Sequence, residues 1–202
     1  MMVGLLLAIV AIAAPQAATP DSTIYLLSPA SHLEVQTGKA GLLSFVGHEH
    51  RIRARSVHGR IVYRPNAPAT SHVSLVIPTD SLEVLTPPDT AEVRKVTETM
   101  RTEVLDVAHY PEIRFESRTV ARSGNTLNIV GALTIKGQTR DIPVDVELQI
   151  ARDTLQASTR FGIKQTDFGI RPYRGGPGGT VRVADRVTFV INAVGVRERA
   201  TQ

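Results

Sequence analysis

The chain has 202 residues, a formal charge of +4 and no cysteine, so disulfides, thiolate metal sites and a cysteine-borne lipid anchor are excluded. Four Tyr, five Phe and no Trp leave few rings on which bases could stack, which weighs against single-strand nucleic-acid binding. The basic balance allows transient contact with an anionic membrane surface but does not demand nucleic acid, and no nucleic-acid partner is expected.

Residues 1–20 carry no charged side chain. Val3 to Ala14 is an apolar run, shorter than the ~20 residues that a bilayer-spanning helix needs, and small residues follow it at Ala17-Ala18. Residues 1–18 are therefore expected to be a secretory signal peptide, with a periplasmic or secreted destination, although no Lys or Arg precedes the apolar run. An uncleaved anchor is the alternative.

Residues 23–196 then read as one domain, with a flexible tail over 197–202. Thr23–Ser28 is a short apolar segment turned by Pro29-Ala30. In Ser31–Thr37, Leu33 and Val35 alternate with His32, Glu34 and Gln36. Leu42–Arg64 is a long β-like stretch, expected to bulge or bend at Gly47 and Gly59. His72–Pro78 is a further strand with Val73, Leu75 and Ile77 on one face. Beyond Pro87-Pro88, Asp89 and Glu92 are spaced as a capping box, and Val93, Val96, Met100 and Val104 recur at helical spacing. One amphipathic helix is predicted from about Thr90 to Val104.

Period two returns after Pro111, with Ile113, Phe115 and Ser117 on one face. Ser123-Gly124-Asn125 then turns into the clearest signal in the chain, Thr126–Ile150. Leu127, Ile129, Leu133 and Ile135 form one alternating set, and Ile142, Val144, Val146, Leu148 and Ile150 form another. Gly137-Gln138 between them fits a two-residue type II′ hairpin loop. Asp153–Lys164 and Val181–Val196 close the domain, with Phe161 and Phe189 on their inner parity. Eight or nine strands, one helix and short connections argue for an all-β antiparallel barrel or sandwich.

Three segments carry a resemblance. Leu105-Asp106-Val107-Ala108-His109-Tyr110-Pro111-Glu112-Ile113-Arg114-Phe115-Glu116-Ser117, Gly131-Ala132-Leu133-Thr134-Ile135-Lys136-Gly137-Gln138-Thr139-Arg140 and Thr166-Asp167-Phe168-Gly169-Ile170 resemble, in order and spacing, motifs of the YceI-like family. The resemblance implies an extended, lipocalin-like, eight-stranded antiparallel β-barrel, usually periplasmic. It also implies a non-enzymatic role, since some members hold a polyisoprenoid or isoprenoid quinone inside the barrel. The Gly47-His48-Glu49-His50 segment departs from the better-known members.

Side chains can just fill an eight-stranded interior, and the residues alone favour a filled core over a hollow one. The resemblance implies a hollow one, and the residues expected to meet a ligand are then Phe45, Phe115, Leu127, Ile129, Leu133, Ile135, Phe161, Phe168 and Phe189. His48 and His50 lie ~6.6 Å apart on one face if extended, which suits two imidazole ligands of Zn or Cu. A periplasmic metal-binding protein is the alternative function. Arg51, Arg53 and Arg55 share a face, expected to be the solvated side of an edge strand. Absence of GxSxG, HExxH and Ser-x-x-Lys patterns argues against hydrolysis. The sequence is compatible with a homodimer.

Overall fold

The computed structural model describes residues 21–40, 49–85, 90–175 and 181–199. The described residues form twelve strands: β1 Thr23–Leu27, β2 His32–Ala40, β3 Arg51–Ala54, β4 His58–Tyr63, β5 His72–Pro78, β6 Leu82–Val84, β7 Glu112–Ser123, β8 Thr126–Ile135, β9 Gln138–Ala151, β10 Thr154–Lys164, β11 Arg174–Gly175 and β12 Val181–Arg197. All pairings are antiparallel, and β1, β4, β5, β7, β8, β9, β10 and β12 close into an eight-membered ring because β1 also pairs with β12.

The strands outside that ring are continuations of its members. β1 and β2 lie end to end along β12, the first against residues 195–197 and the second against 182–192. In the same way β3 extends β4, and β6 extends β5. Three early strands are thus broken at one level of the barrel. Pro29-Ala30 accounts for the first break. There the buried Ser31 stitches the gap, its Oγ donating to the Val194 carbonyl (3.3 Å) and accepting from the Val194 amide (3.0 Å). At the other two breaks, Ser81 Oγ donates to the Ser56 carbonyl (3.3 Å) while the Arg55 amide donates to the Ser81 carbonyl (3.1 Å). The second break therefore falls at Ser56-Val57 and not at Gly59. Gly59 sits inside β4, where a Cβ would meet Leu27 and Leu75 at 2.6 and 2.7 Å. Gly47 and the capping residue Asp89 lie outside the described residues.

The predicted helix is present as α1, Thr90–Thr99, followed by one π-type turn over Met100–Val104. The wider turn, of the kind found inserted in α-helices, helps bring Met100 and Leu105 into the core at the same end of the barrel. Lys136 Nζ donates to the Glu103 and Val104 carbonyls (3.2 and 3.0 Å), satisfying helix-terminal acceptors. That contact comes from the β8–β9 loop, which differs from the expected one. Ile135 pairs with Gln138, so the two loop residues are Lys136 and Gly137, with φ of 49° and 71°. Two positive φ values belong to a type I′ turn, not II′.

The barrel wall has a seam. β9 and β10 pair only between residues 147–151 and 154–158. Towards the helix-bearing end the last tie is Thr159 Oγ1 donating to the Asp145 carbonyl (2.7 Å). Beyond it the Gln165–Phe168 turn packs against β9, β10 and β12, and Gly169 at φ 69° reverses the chain. Phe168 and Ile170 join Leu133, Ile135, Ile163 and Val187 in the core there. Pro143 lies in the half of β9 with no β10 partner, the setting in which a strand tolerates proline.

Asp185 fastens this wedge. Its carboxylate accepts the Thr166 amide (2.9 Å) and hydroxyl (2.8 Å). The amide bond above all, with help from the hydroxyl and the Lys164 charge, holds the carboxyl below its ordinary range. The unfolded chain therefore binds the proton first, so the contribution is complete above the ordinary carboxylate pKa and is lost as pH falls through the folded value. Asp185→Asn is expected to cost about 1 kcal/mol at neutral pH, near the low end for charge-assisted bonds because the group faces solvent. In melting curves taken from pH 7 to pH 2.5, the gap between wild type and variant should close in acid. A gap that stays constant with pH would contradict this account.

Candidate functional site

Inner-parity residues of the ring surround a cavity of about 220 Å³ that runs through the barrel. On β10 its wall extends from Leu155 to Ile163, roughly 20 Å along the axis for a tilted strand at ~3.3 Å per residue. A tightly packed cluster lies at each end. Tyr25, Ile61, Tyr63, Val120, Leu127, Ile129 and Leu155 fill the end that carries both described termini. Met100, Leu105, Ile113, Leu133, Ile135, Ile163 and Val187 belong to the cluster at the helix-bearing end. Between them Val35, Ile52, Leu75, Phe115, Ala157, Phe161, Phe189 and Ile191 are only half-buried, although they point inward. A filled interior would bury these central residues most deeply.

The wall is almost wholly apolar, and its polar members are already engaged. Thr37 Oγ1 accepts the His50 amide (3.0 Å), Ser71 Oγ accepts the Arg64 amide (3.0 Å), and Gln165 Nε2 donates to the Ala184 carbonyl (2.8 Å). Glu34 receives a bidentate pair from Arg51 (2.9 and 2.7 Å), which holds its carboxyl below the usual range. Arg114 pairs with Glu112. Among the described residues no buried side-chain nitrogen or oxygen is left without a partner. A molecule in this cavity would be held by burial and dispersion, and any polar head would lie at an end.

Of the residues the sequence singled out, Phe115, Leu127, Ile129, Leu133, Ile135, Phe161 and Phe189 line the cavity. Phe161 and Phe189 are direct cross-strand partners with rings stacked at 5.0 Å. The Phe115 ring crosses Gly131, where a Cβ would lie 2.1 Å from its tip. Phe168 is a correction. It is 0% exposed and is not on the cavity wall, because Gly169 turns it into the seam. Phe45 and His48 lie outside the described residues. His50 meets Thr37 through its backbone, and its carbonyl accepts the Thr37 amide (2.9 Å). Among the described residues no group of three or more His, Cys, Asp or Glu is placed to hold a metal. β3, with Arg51 and Arg53, is not an edge strand but lies between β2 and β6, and Glu34 and Glu83 on those neighbours answer Arg51 and Arg55.

Sequence reasoning missed one polar cluster. Ser117 Oγ lies 3.3 Å from His72 Nδ1, and His72 Nε2 lies 2.9 Å from Glu116. The order looks like nucleophile, base and acid. However, Ser117 Oγ accepts the Val73 amide (2.9 Å) and the side chain is buried beside a register shift in β7. The cluster stitches β5 to β7 across that irregularity, where one amide would otherwise lack an acceptor.

Residues 27–194 match the YceI-like domain family. The chain belongs to that family. Its similarity to the Protein YceI of Salmonella arizonae is 26% identity over 147 residues, covering 70% of this chain and 71% of the relative. Among solved structures, BcnA of Burkholderia cenocepacia superimposes with a TM-score of 0.66 at 20% identity, covering 83% of this chain and 98% of that one. A polyisoprenoid binding domain from Saccharophagus degradans, implicated in plant cell wall breakdown, gives 0.63 at 14% identity, covering 87% and 98%. The YceI-like barrel explains the three motifs physically. The first supplies Leu105 and the inner face of β7, the second the β8–β9 hairpin, and the third the wedge in the seam.

Proposed function

We propose that this YceI-like barrel is a non-enzymatic carrier of an apolar or amphiphilic chain, of the polyisoprenoid or isoprenoid-quinone class. The carrying observation is the half-exposure of central inward residues around a continuous, carbon-lined cavity. Its volume of about 220 Å³ exceeds the ~150 Å³ apolar cavity that stays dry and takes up benzene. Burial contributes ~0.8 kcal/mol per methylene, so a hydrocarbon tail needs shape and apolar walls and no catalytic group. Phe115, Leu127, Ile129, Leu133, Ile135, Phe161 and Phe189 are the proposed contacts. The binding activity of the Saccharophagus degradans neighbour supports the ligand class. Export of the chain, with residues 1–18 as leader and a periplasmic destination, completes the proposal.

The test is mass spectrometry of the organic extract of purified protein produced with its own leader. An apolar chain at near-stoichiometric amount is expected. A folded protein whose extract holds no lipid, and which takes up none from added polyprenol, would overturn the reading.

A further inference from the structure

Five arginines on the barrel's outer surface are matched by carboxylates. Arg51 pairs with Glu34, Arg55 with Glu83, Arg60 with Glu198, Arg114 with Glu112 and Arg118 with Asp141. On one stretch of wall, cations instead face one another. Lys164 on β10 stands directly opposite Arg186 on β12, and Arg174 on β11 directly opposite Arg182 on β12. Like charges facing each other across strands are destabilising, yet two such pairs occur here in succession. None of the four forms an ion pair among the described residues, and all four are exposed. Arg160, two repeats of the pleat further down β10, spends its guanidinium on the Gln36 side-chain carbonyl (3.2 Å) and adds a fifth charge. Gly162 between Arg160 and Lys164 leaves the room in which the Arg186 guanidinium lies flat on the wall, 2.8 Å from where a Cβ would stand. The one carboxylate within this group, Asp185, is turned to the Thr166 amide and hydroxyl and is also stabilised by the Lys164 charge, and Asp167 on the following turn is exposed.

The position matters as much as the charge. Lys164 immediately precedes Gln165 and Arg186 immediately precedes Val187, and both of those neighbours line the cavity. The cations therefore border the helix-bearing end of the lumen. A packed cluster lies at that end as at the other, and on its inner side the β2 and β3 residues Val35, Thr37, Ile52 and Ala54 are half-buried.

We infer that the β10–β11–β12 wall is a docking surface for an anionic bilayer, holding the helix-bearing end of the lumen against the membrane. An anionic bilayer answers the repulsion between the facing cations, and it is where a long apolar ligand resides. The choice of a bilayer over other polyanions rests on the carrier reading above, while the surface itself is read from charge and position. Each Lys or Arg near a negatively charged leaflet adds roughly fivefold to partitioning at low salt, and the effect fades within a Debye length as salt rises.

The experiment is co-sedimentation of the full exported chain with vesicles of pure phosphatidylcholine or of phosphatidylcholine with one-third phosphatidylglycerol. The native protein is expected to partition only to the anionic vesicles and to be released by salt. The triple variant Lys164→Gln, Arg182→Gln, Arg186→Gln should bind roughly a hundredfold more weakly, with a melting temperature unchanged or raised because repulsion is relieved. A control of equal charge loss at the opposite end, Arg152→Gln, Arg197→Gln, Arg199→Gln, should keep most of the affinity. Equal loss in both variants would make net charge and not this wall responsible, and would overturn the inference. No partitioning of the native protein, or retention on duplex DNA without vesicle binding, would also overturn it. A protein whose extract holds no lipid but which binds vesicles through this wall would sink the carrier reading and leave the docking surface standing.

Discussion

Phe168→Ala is expected to lower stability by about 3–5 kcal/mol, the range for truncating a fully buried aromatic side chain. Phe168 is 0% exposed and packs where β9 and β10 no longer pair. Removing the ring leaves a void that the neighbours cannot easily fill. Gly169 and the Asp185–Thr166 bonds fix the turn from one side, and the β8–β9 hairpin fixes it from the other. Ile170, Ile163 and Ile135 would lose contacts together. Urea titration of the purified variant measures the loss. The same variant should expose the half of β9 without a β10 partner to amide exchange ahead of β7 and β8. A change of less than 1 kcal/mol would mean that the seam is closed by something other than this wedge.

The sequence made the ring of strands legible where polar and apolar residues alternate without interruption. From Leu127 to Leu148 the alternation marks the inward residues, because a slip of one position would expose the whole set, whereas Ile150, expected on the same face, is 43% exposed near the end of β9. The helix was legible from Val93, Val96, Met100 and Val104. Interruptions were harder to read. Gly59 looked like a break in a strand but is a close approach of Leu27 and Leu75, and the real break at Ser56-Val57 carries no Gly or Pro. The Lys136-Gly137 loop was misplaced by one residue because Lys is an uncommon choice for positive φ. Its reason is tertiary, since the ammonium reaches the helix end. Phe168 has the composition of a cavity residue, and only the αL turn at Gly169 reveals that it fills a seam. Pairing of Ser117 with His72 depends on a register shift in β7 that no local pattern announces. Side chains that face one another across a closed ring lie far apart in sequence, so periodicity gives their parity but not their partners.

Ala157→Phe is expected to leave the melting temperature nearly unchanged while lowering recovery of an extracted apolar chain at least severalfold. Ala157 is half-buried on the cavity wall, flanked across its strands by Ala193 and Leu148. A larger ring there enters the lumen. In a filled barrel it would have nowhere to go, and overpacking would cost ~1–3 kcal/mol. In a hollow one it takes space from the ligand and gains apolar contact with the facing wall, so the two terms oppose each other in the empty protein. Charge placed inside, as in Leu133→Lys, would damage either barrel and so decides nothing. The pair of readouts is what separates the cases. Thermal melting reports the packing cost, and lipid recovery reports the volume lost to the ligand. Ala157→Phe with a strongly lowered melting temperature would show that the space around residue 157 is already occupied by protein. A normal melting temperature with undiminished lipid would move the bound chain elsewhere in the barrel, towards Phe161 and Phe189.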